Sequence, residues 1–155
     1  MKEKLGFIGL GNMGLPMSIN FLRAGYEVFG FDINAKAIDR FIAEDGVGLA
    51  TLQDVIKQSD VIMTSLPTPQ AVEQVYKAQD GFYNMRNKEL YLIDFSTVNP
   101  QLNDLLHKEA RSLGLRYLGT CKWECHWCYS CNANNNGRRR ARRLSKWIWN
   151  FQNSW

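Results

Sequence analysis

The sequence predicts an α/β fold in which a doubly wound parallel sheet carries helices on both faces. Apolar strand-like runs alternate with helix-like segments from residue 5 to residue 118, which is the order that builds a parallel sheet. Runs such as residues 61–63 (V-I-M) are apolar throughout, as strands covered on both faces require. A glycine-rich turn joins the first strand to the first helix, a feature typical of sheets of this kind.

The predicted elements follow one another along the chain with short connections. Asn34 and Asn99 are placed to cap helices, and Pro100 suits a first helical position. Three glycines fall where helix ends commonly need a left-handed residue: Gly25, Gly46 and Gly114. The predicted strands are 5–9, 27–31, 60–65, 90–95 and 115–118, and the predicted helices are 12–24, 35–44, 51–58, 69–77 and 100–113.

The first turn has the pattern of a dinucleotide-binding site. Gly9, Gly11 and Gly14 form G-x-G-x-x-G between an apolar run and a helical pattern. The first glycine permits a tight turn, the second lets the backbone approach a pyrophosphate, and the third lets the helix pack on the sheet. Asp32 ends the next strand, 18 residues after Gly14, where an acid accepts hydrogen bonds from a ribose diol. We therefore predict phosphate binding at the start of this helix.

Simpler interpretations of these residues exist. The glycines could only shape a turn, and Asp32 could be an ordinary acid at a helix start; the first alternative does not explain why an acid ends the next strand. A signal peptide is excluded because glycines and Asn12 interrupt the apolar run. No run reaches the roughly 20 apolar residues of a membrane span, so we expect a soluble, cytoplasmic protein.

Ligands of such sheets bind beyond the carboxyl ends of the strands. This rule selects four segments: residues 9–14, 32–34, 64–67 and 94–97. Ser96 and Thr97 in the last segment could instead be capping hydroxyls near Pro100.

The composition changes sharply near Gly119. Residues 1–119 hold 12 basic and 14 acidic side chains, whereas residues 120–155 hold seven basic and one acidic. All four cysteines and all five tryptophans also follow Gly119. The basic charge therefore belongs to the tail and does not assign a nucleic-acid partner to the folded part.

Several motifs together resemble one enzyme family. F-I-G-L-G-N-M-G-L-P-M is followed by N-F-L-R-A-G-Y, then by S-L-P and by D-F-S-T-V-N-P. This series resembles the β-hydroxyacid dehydrogenases, which include 3-hydroxyisobutyrate dehydrogenase, and the cofactor domain of 6-phosphogluconate dehydrogenase. The resemblance implies a Rossmann-type NAD(P)-binding domain over residues 1–118 and hydride transfer between NAD and a small β-hydroxy acid.

The resemblance also implies roles for individual residues. The backbone of Leu10–Met13 would hold the pyrophosphate. Asp32 would hold the adenosine ribose, which favours NAD over NADP because the neutral Ile33 and Asn34 follow it. Leu66 and Pro67 would line the nicotinamide ribose, Thr97 the nicotinamide, and Ser96 would face the substrate. The full set of implied cofactor-binding residues is Gly9, Leu10, Gly11, Asn12, Met13, Gly14, Asp32, Asn34, Leu66, Pro67 and Thr97.

The chain departs from the family after residue 118. Relatives continue with a glycine-rich substrate loop of the type D-A-P-V-S-G-G and a helical domain carrying the catalytic lysine, whereas residues 119–128 read G-T-C-K-W-E-C-H-W-C. No lysine matches the family's catalytic position. We therefore expect a truncated chain that binds nucleotide without turnover on its own.

Three interpretations compete for the tail, residues 119–155. Its cysteines could bind zinc or an iron–sulfur cluster, and its arginine run at 138–143 could bind nucleic acid. Alternatively, the tail is translated out of frame: in a shifted frame Trp123 and Trp127 each become glycine, as the family's substrate loop requires. We favour this third interpretation, which predicts an irregular, non-native tail without a metal site. The possible metal ligands are Cys121, Cys125, His126, Cys128 and Cys131.

Two other functions stay open. The chain could derive from an imine or pyrroline-carboxylate reductase, whose opening motif is similar. It could also be a nucleotide-binding regulator that uses its basic tail on nucleic acid. The sequence gives neither the substrate nor the oligomeric state.

Overall fold

The computed structural model describes residues 3–84 and 90–119, in which strands and helices alternate along the chain. A short 3-10 helix covers Phe82–Asn84. The strands are β1 (Leu5–Ile8), β2 (Val28–Phe31), β3 (Val47–Gly48), β4 (Val61–Thr64), β5 (Tyr91–Asp94) and β6 (Arg116–Gly119). The helices are α1 (Gly14–Arg23), α2 (Ala35–Ile42), α3 (Leu52–Gln58), α4 (Pro69–Lys77) and α5 (Pro100–Ser112).

The six strands lie in the order β3-β2-β1-β4-β5-β6, and every neighbouring pair is parallel. This is the strand order of a Rossmann fold. The chain builds outward from β1 to β3, then crosses to β4 and builds outward to β6. The predicted fold class, a doubly wound parallel sheet, is confirmed.

Helices pack on both faces of the sheet. Adjacent residues of a strand point to opposite faces. The ring of Phe7 lies 6.4 Å from that of Phe21 in α1, whereas a side chain at the neighbouring Gly6 would meet Val55 of α3. Helices α1 and α3 therefore cover opposite faces. The main core cluster joins the sheet to α3, α4 and α5 through Leu52, Val55, Ile56, Val72, Tyr76, Leu102, Leu106 and Ala110.

All predicted strands and helices are present, and none of their predicted first and last residues differs from the observed one by more than two positions. Asn34 and Asn99 cap α2 and α5 by accepting hydrogen bonds from the amides of Lys36 and Leu102, and Pro100 is the first residue of α5. Strand β3 was not among the predicted elements. It is only two residues long, too short to show the alternation that marks a strand.

One predicted helix end is wrong. Gly25 and Gly114 have the expected positive φ, at 77° and 76°. After α2, however, the left-handed residue is Asp45, with φ at 66°, and not Gly46. Gly46 lacks a side chain for a different reason, because a Cβ there would run into the ring of Phe41.

The predicted tail, residues 119–155, lies outside the described residues except for Gly119, which ends β6. The cysteine, arginine and shifted-frame interpretations of that segment therefore stay predictions. Across residues 3–84 and 90–119 the longest helix has 13 residues, and none of the helices combines the length and hydropathy needed to cross a membrane.

Candidate functional site

The candidate site lies where β1, β2, β4 and β5 end at the carboxyl edge of the sheet. The strand register places Phe31, Ile8, Thr64 and Asp94 side by side across this edge. Strands β1 and β4 are neighbours, but the chain leaves them towards α1 on one face and α4 on the other. A crevice forms at such a reversal of strand order, and ligands of open α/β sheets bind there. The four segments selected from the sequence all follow these strands.

The glycine loop follows β1 and is shaped by close packing at two of its three glycines. Gly9 has φ at 90°, and a Cβ there would overlap the carbonyl oxygen of Ser65. A Cβ at Gly14 would overlap the carbonyl oxygen of Gly9, so α1 can begin this close to β1 only with glycine. Gly11 differs from both, because among residues 3–84 and 90–119 no atom beyond its two chain neighbours lies within 4 Å of the position its Cβ would take.

The start of α1 also differs from the starts of the other helices in the described ranges. Side chains of Asn34, Thr51, Thr68 and Asn99 cap α2 to α5 by accepting a backbone N–H. At α1 the N-cap residue is Met13, which makes no side-chain cap hydrogen bond. The first N–H groups of a helix have no acceptor within the helix, and the N-cap side chain of α1 accepts none of them.

Asp32 joins the glycine loop to the end of β2. Its Oδ2 accepts a hydrogen bond of 2.6 Å from the Leu10 amide, and its Oδ1 accepts one of 2.8 Å from the Asn34 amide. The structure thus brings the predicted ribose-binding acid against the predicted pyrophosphate-binding loop. Asp32 is not the cap of α2, since Asn34 takes that role.

The predicted residues of the glycine loop differ in exposure. The side chain of Leu10 is fully buried, and its amide is donated to Asp32. Asn12 and Met13 are exposed, and Met13 keeps 69% of its surface accessible. After β2, Ile33 is 96% exposed. Residues 11–13 of the loop are therefore accessible to a ligand, while the buried Leu10 side chain and its amide bond to Asp32 hold the loop in place.

The segments after β4 and β5 are joined by a hydrogen bond. The amide of Leu66 donates to Oγ of Ser96 over 2.9 Å. Ser96 is only 4% exposed, whereas Pro67 and Thr97 are exposed. The alternative in which Ser96 or Thr97 caps α5 is wrong, because the cap is Asn99.

A buried carboxylate lies beneath these two segments. Asp94 is the last residue of β5 and is 1% exposed. Its Oδ1 accepts hydrogen bonds from the Thr64 hydroxyl at 2.8 Å and from the Ser96 amide at 2.9 Å. The hydroxyl of Tyr76 lies 3.4 Å from that of Thr64. The ends of β4 and β5 and the segment after β5 thus share one polar network.

Burial raises the pKa values of two groups in this network, the Asp94 carboxyl and the Tyr76 hydroxyl. Desolvation raises the pKa of the Asp94 carboxyl, while hydrogen bonds from Ser96, Thr64 and Tyr117 act in the opposite direction. Desolvation also raises the pKa of the Tyr76 hydroxyl well above its ordinary value, and the nearby Asp94 adds to this shift. The Tyr76 hydroxyl is therefore a neutral group, suited to donating a hydrogen bond.

Sequence reasoning selected the segment that contains Asp94 but assigned this residue no role. The sequence signal was present, because an acid ends an apolar strand. Tyr76 carried no such signal, since an aromatic residue inside an amphipathic helix predicts only packing. Within residues 3–84 and 90–119, no group of three or more His, Cys, Asp or Glu side chains is placed to hold a metal ion.

The residues at this edge suit a dinucleotide. The open space at Gly11 leaves room for a ligand against the backbone, the uncapped start of α1 suits a phosphate, and a carboxylate lies beside the loop. These features were expected from the pattern of glycines and acid, and the structure brings them together.

Comparison with known proteins gives a family. The sequence profile of the NAD binding domain of 6-phosphogluconate dehydrogenase matches residues 4–121. The NAD-dependent L-serine dehydrogenase of Pseudomonas aeruginosa is 34% identical over 116 residues, which cover 75% of this chain and 39% of that protein. The chain spans between about a third and two fifths of the length of the curated relatives that it matches.

Solved structures share the fold. The 3-hydroxyisobutyrate dehydrogenase of Mycobacterium tuberculosis, solved with L-serine, matches with a TM-score of 0.69 and 34% identity over 77% of this chain and 40% of its own. A variant imine reductase of Myxococcus stipitatus, in complex with NAD+, matches with a TM-score of 0.71 and 24% identity over the same shares. At that identity the imine reductase shows the fold alone.

Proposed function

Since the chain belongs to the family of NAD-binding domains of 6-phosphogluconate dehydrogenase, with homologues of the 3-hydroxyisobutyrate dehydrogenase type, we propose that it binds NAD at the carboxyl edge between β1 and β4. The observation that carries this proposal is the contrast among the loop glycines. Packing requires Gly9 and Gly14, whereas none of the residues that the structure describes crowds Gly11. The close approach of a pyrophosphate supplies the missing reason for a glycine there.

The pyrophosphate binds to the backbone of Gly11–Met13 and to the start of α1. The N-terminal end of a helix carries partial positive charge and N–H groups that point outward. An acceptor from a capping side chain would compete for those groups, and α1 has none. The phosphate oxygens take the place that Asn34, Thr51, Thr68 and Asn99 fill at the other described helices.

Asp32 accepts hydrogen bonds from the hydroxyls of the adenosine ribose. Each carboxylate oxygen has more than one acceptor site, and the amides of Leu10 and Asn34 use one on each. Capacity therefore remains for the ribose. The same charge repels a 2′-phosphate, and the following Ile33 and Asn34 offer no compensating cation, so NAD binds more tightly than NADP.

The nicotinamide half lies against the segments after β4 and β5, with Leu66 and Pro67 at its ribose and Thr97 at its ring. The bound nicotinamide supplies hydride acceptance and donation. In a protein that also carries the family's helical domain, Ser96 faces a small β-hydroxy acid and a lysine of that domain handles the hydroxyl proton. The domain of residues 3–119 contributes the nucleotide-binding part of that reaction, and we propose that it acts in the cytoplasm.

Calorimetric titration of the full 155-residue chain with NAD and with NADP tests this function. We expect one saturable site that binds NAD at least about tenfold more tightly, the equivalent of about 1.4 kcal/mol. The variant Asp60→Asn is a suitable control, because Asp60 accepts its hydrogen bond from Lys4 at the opposite edge of the sheet. Failure of a cooperatively folded chain to bind either nucleotide would overturn the proposal.

A further inference from the structure

Asp94 is an acidic side chain that the protein buries almost completely. It lies at 1% exposure in the middle of the carboxyl edge, between Thr64 of β4 and Gly119 of β6. A buried carboxylate is costly unless hydrogen bonds compensate for its lost hydration. Its partners are therefore informative about why it is there.

The partners of Asp94 come from Thr64 at the end of β4, from Ser96 in the segment that follows β5, and from Tyr117 of β6. The Thr64 hydroxyl and the Ser96 amide donate to the same oxygen, Oδ1, over 2.8 and 2.9 Å, and the Ser96 side chain also hydrogen-bonds to the carboxyl group. Asp94 thereby fixes both the backbone and the hydroxyl of Ser96. It does so in a buried environment, where such bonds are strong.

The fixed Ser96 in turn holds the neighbouring segment. Its Oγ accepts the hydrogen bond of the Leu66 amide, so an orientation set by Asp94 is passed on to the backbone after β4. The exposed Pro67 and Thr97 extend from these two anchored positions. Through Ser96, the buried Asp94 carboxyl group thus sets the distance between the segment after β4 and the segment after β5.

We propose that Asp94 is a positioning residue, which holds the segments Leu66–Pro67 and Ser96–Thr97 at the spacing that receives the nicotinamide half of the cofactor. The proposal rests on the proposed function, NAD binding at this edge. Because a pre-ordered site spends less of its binding free energy on ordering, Asp94 strengthens nicotinamide binding without touching the ring. The adenosine half, bound at Asp32 and the glycine loop, is unaffected.

Comparison of NAD with ADP, which lacks both the nicotinamide and its ribose, tests this role. The two ligands are titrated into the full chain and into Asp94→Asn, Thr64→Val and Thr64→Ser. Thr64→Val keeps the shape of a fully buried side chain but removes the hydroxyl, whereas Thr64→Ser restores it. We expect Asp94→Asn and Thr64→Val to weaken NAD about fivefold to tenfold, as loss of one or two hydrogen bonds would, and to change ADP affinity less than about twofold.

The possible outcomes separate the two proposals. Asp60→Asn, which removes a carboxylate bonded to a backbone amide at the far edge, leaves both affinities unchanged, and Thr64→Ser recovers wild-type NAD affinity. Equal losses of NAD and ADP affinity in Thr64→Val, no loss of either, or a wild type that binds both ligands equally would overturn the positioning role while NAD binding stands. A folded wild type that binds neither ligand overturns the proposed function itself.

Discussion

Asp32 and Leu10 are joined by a hydrogen bond of 2.6 Å from the Leu10 amide to the carboxylate. This contact links the end of β2 to the loop after β1, so the acid that is proposed to bind ribose also anchors the loop that is proposed to bind pyrophosphate. Loss of the acid should therefore affect both halves of the adenosine diphosphate site.

The variant Asp32→Ala should bind NAD roughly tenfold to a hundredfold more weakly, because hydrogen bonds to a charged group contribute about 1.5–3 kcal/mol. NADP should lose much less, since the same change removes repulsion of the 2′-phosphate. Calorimetry with both nucleotides measures the ratio. Asp39→Ala, at an exposed acid of α2, is the matched control. Unchanged NAD affinity in Asp32→Ala would remove Asp32 from the site.

The loop glycines should separate folding from binding. Gly14→Ala forces a Cβ into the Gly9 carbonyl and should lower the free energy of unfolding by about 1–3 kcal/mol or more. Gly11→Ala points into open space, so it should leave the thermal midpoint unchanged while weakening NAD by about tenfold or more, through contact with the pyrophosphate. Thermal unfolding and NAD titration of both variants check this. Wild-type NAD affinity in Gly11→Ala would contradict it.

Substitutions after α2 test whether Asp45, and not Gly46, is the left-handed residue there. Asp45→Gly should raise the free energy of unfolding by about 0.5–1 kcal/mol, because Asp45 holds a positive φ of 66° that glycine adopts without strain. Gly46→Ala should lower it by about 1–3 kcal/mol, since its Cβ meets the Phe41 ring. Urea unfolding measures both. Destabilisation by Asp45→Gly would contradict Asp45 as the left-handed residue, and an unchanged free energy of unfolding in Gly46→Ala would contradict the packing role of Gly46.

The pH dependence of stability should change when Asp94 is replaced. Burial raises the folded-state pKa of its carboxyl above the ordinary 3.8. For a raised pKa, the favourable contribution is fully present below the unfolded-state pKa and is lost as pH rises through the folded-state pKa. The destabilisation caused by Asp94→Asn should therefore be largest near pH 4 and should shrink at higher pH. Urea unfolding of both proteins across that window checks the sign, and a destabilisation that grows with pH contradicts it.

Most of the fold could be predicted from the sequence because its signals are local. The side chains of Asn34 and Asn99 cap the first turns of α2 and α5, so these residue types indicate where the helices begin. Apolar runs likewise indicate buried strands. The prediction of a left-handed Gly46 was wrong because a glycine required by a turn and a glycine required by packing cannot be told apart in the sequence. Only the structure shows that the Phe41 ring packs against Gly46. Similarly, β3 is defined by its pairing with Phe29 and Gly30 of β2. A pairing between distant segments leaves no pattern in the local sequence.

The candidate site was predictable in position but not in its internal connections. The rule that ligands bind beyond strand ends located the four segments. It did not reveal that Leu10 donates its amide to Asp32, or that Ser96 is a buried acceptor for Leu66. Contacts of this type join residues far apart in the chain, and they depend on the strand register, which the sequence alone does not give.

The most direct test of NAD binding at this edge is a two-dimensional NMR titration of the isotope-labelled chain with NAD. Binding at this edge should concentrate the amide shifts in the four segments 9–14, 32–34, 64–67 and 94–97, while residues before the amino ends of the strands, such as Lys4 and Asp60, keep their shifts. Shifts centred elsewhere in the domain, or none at saturating NAD, would contradict it.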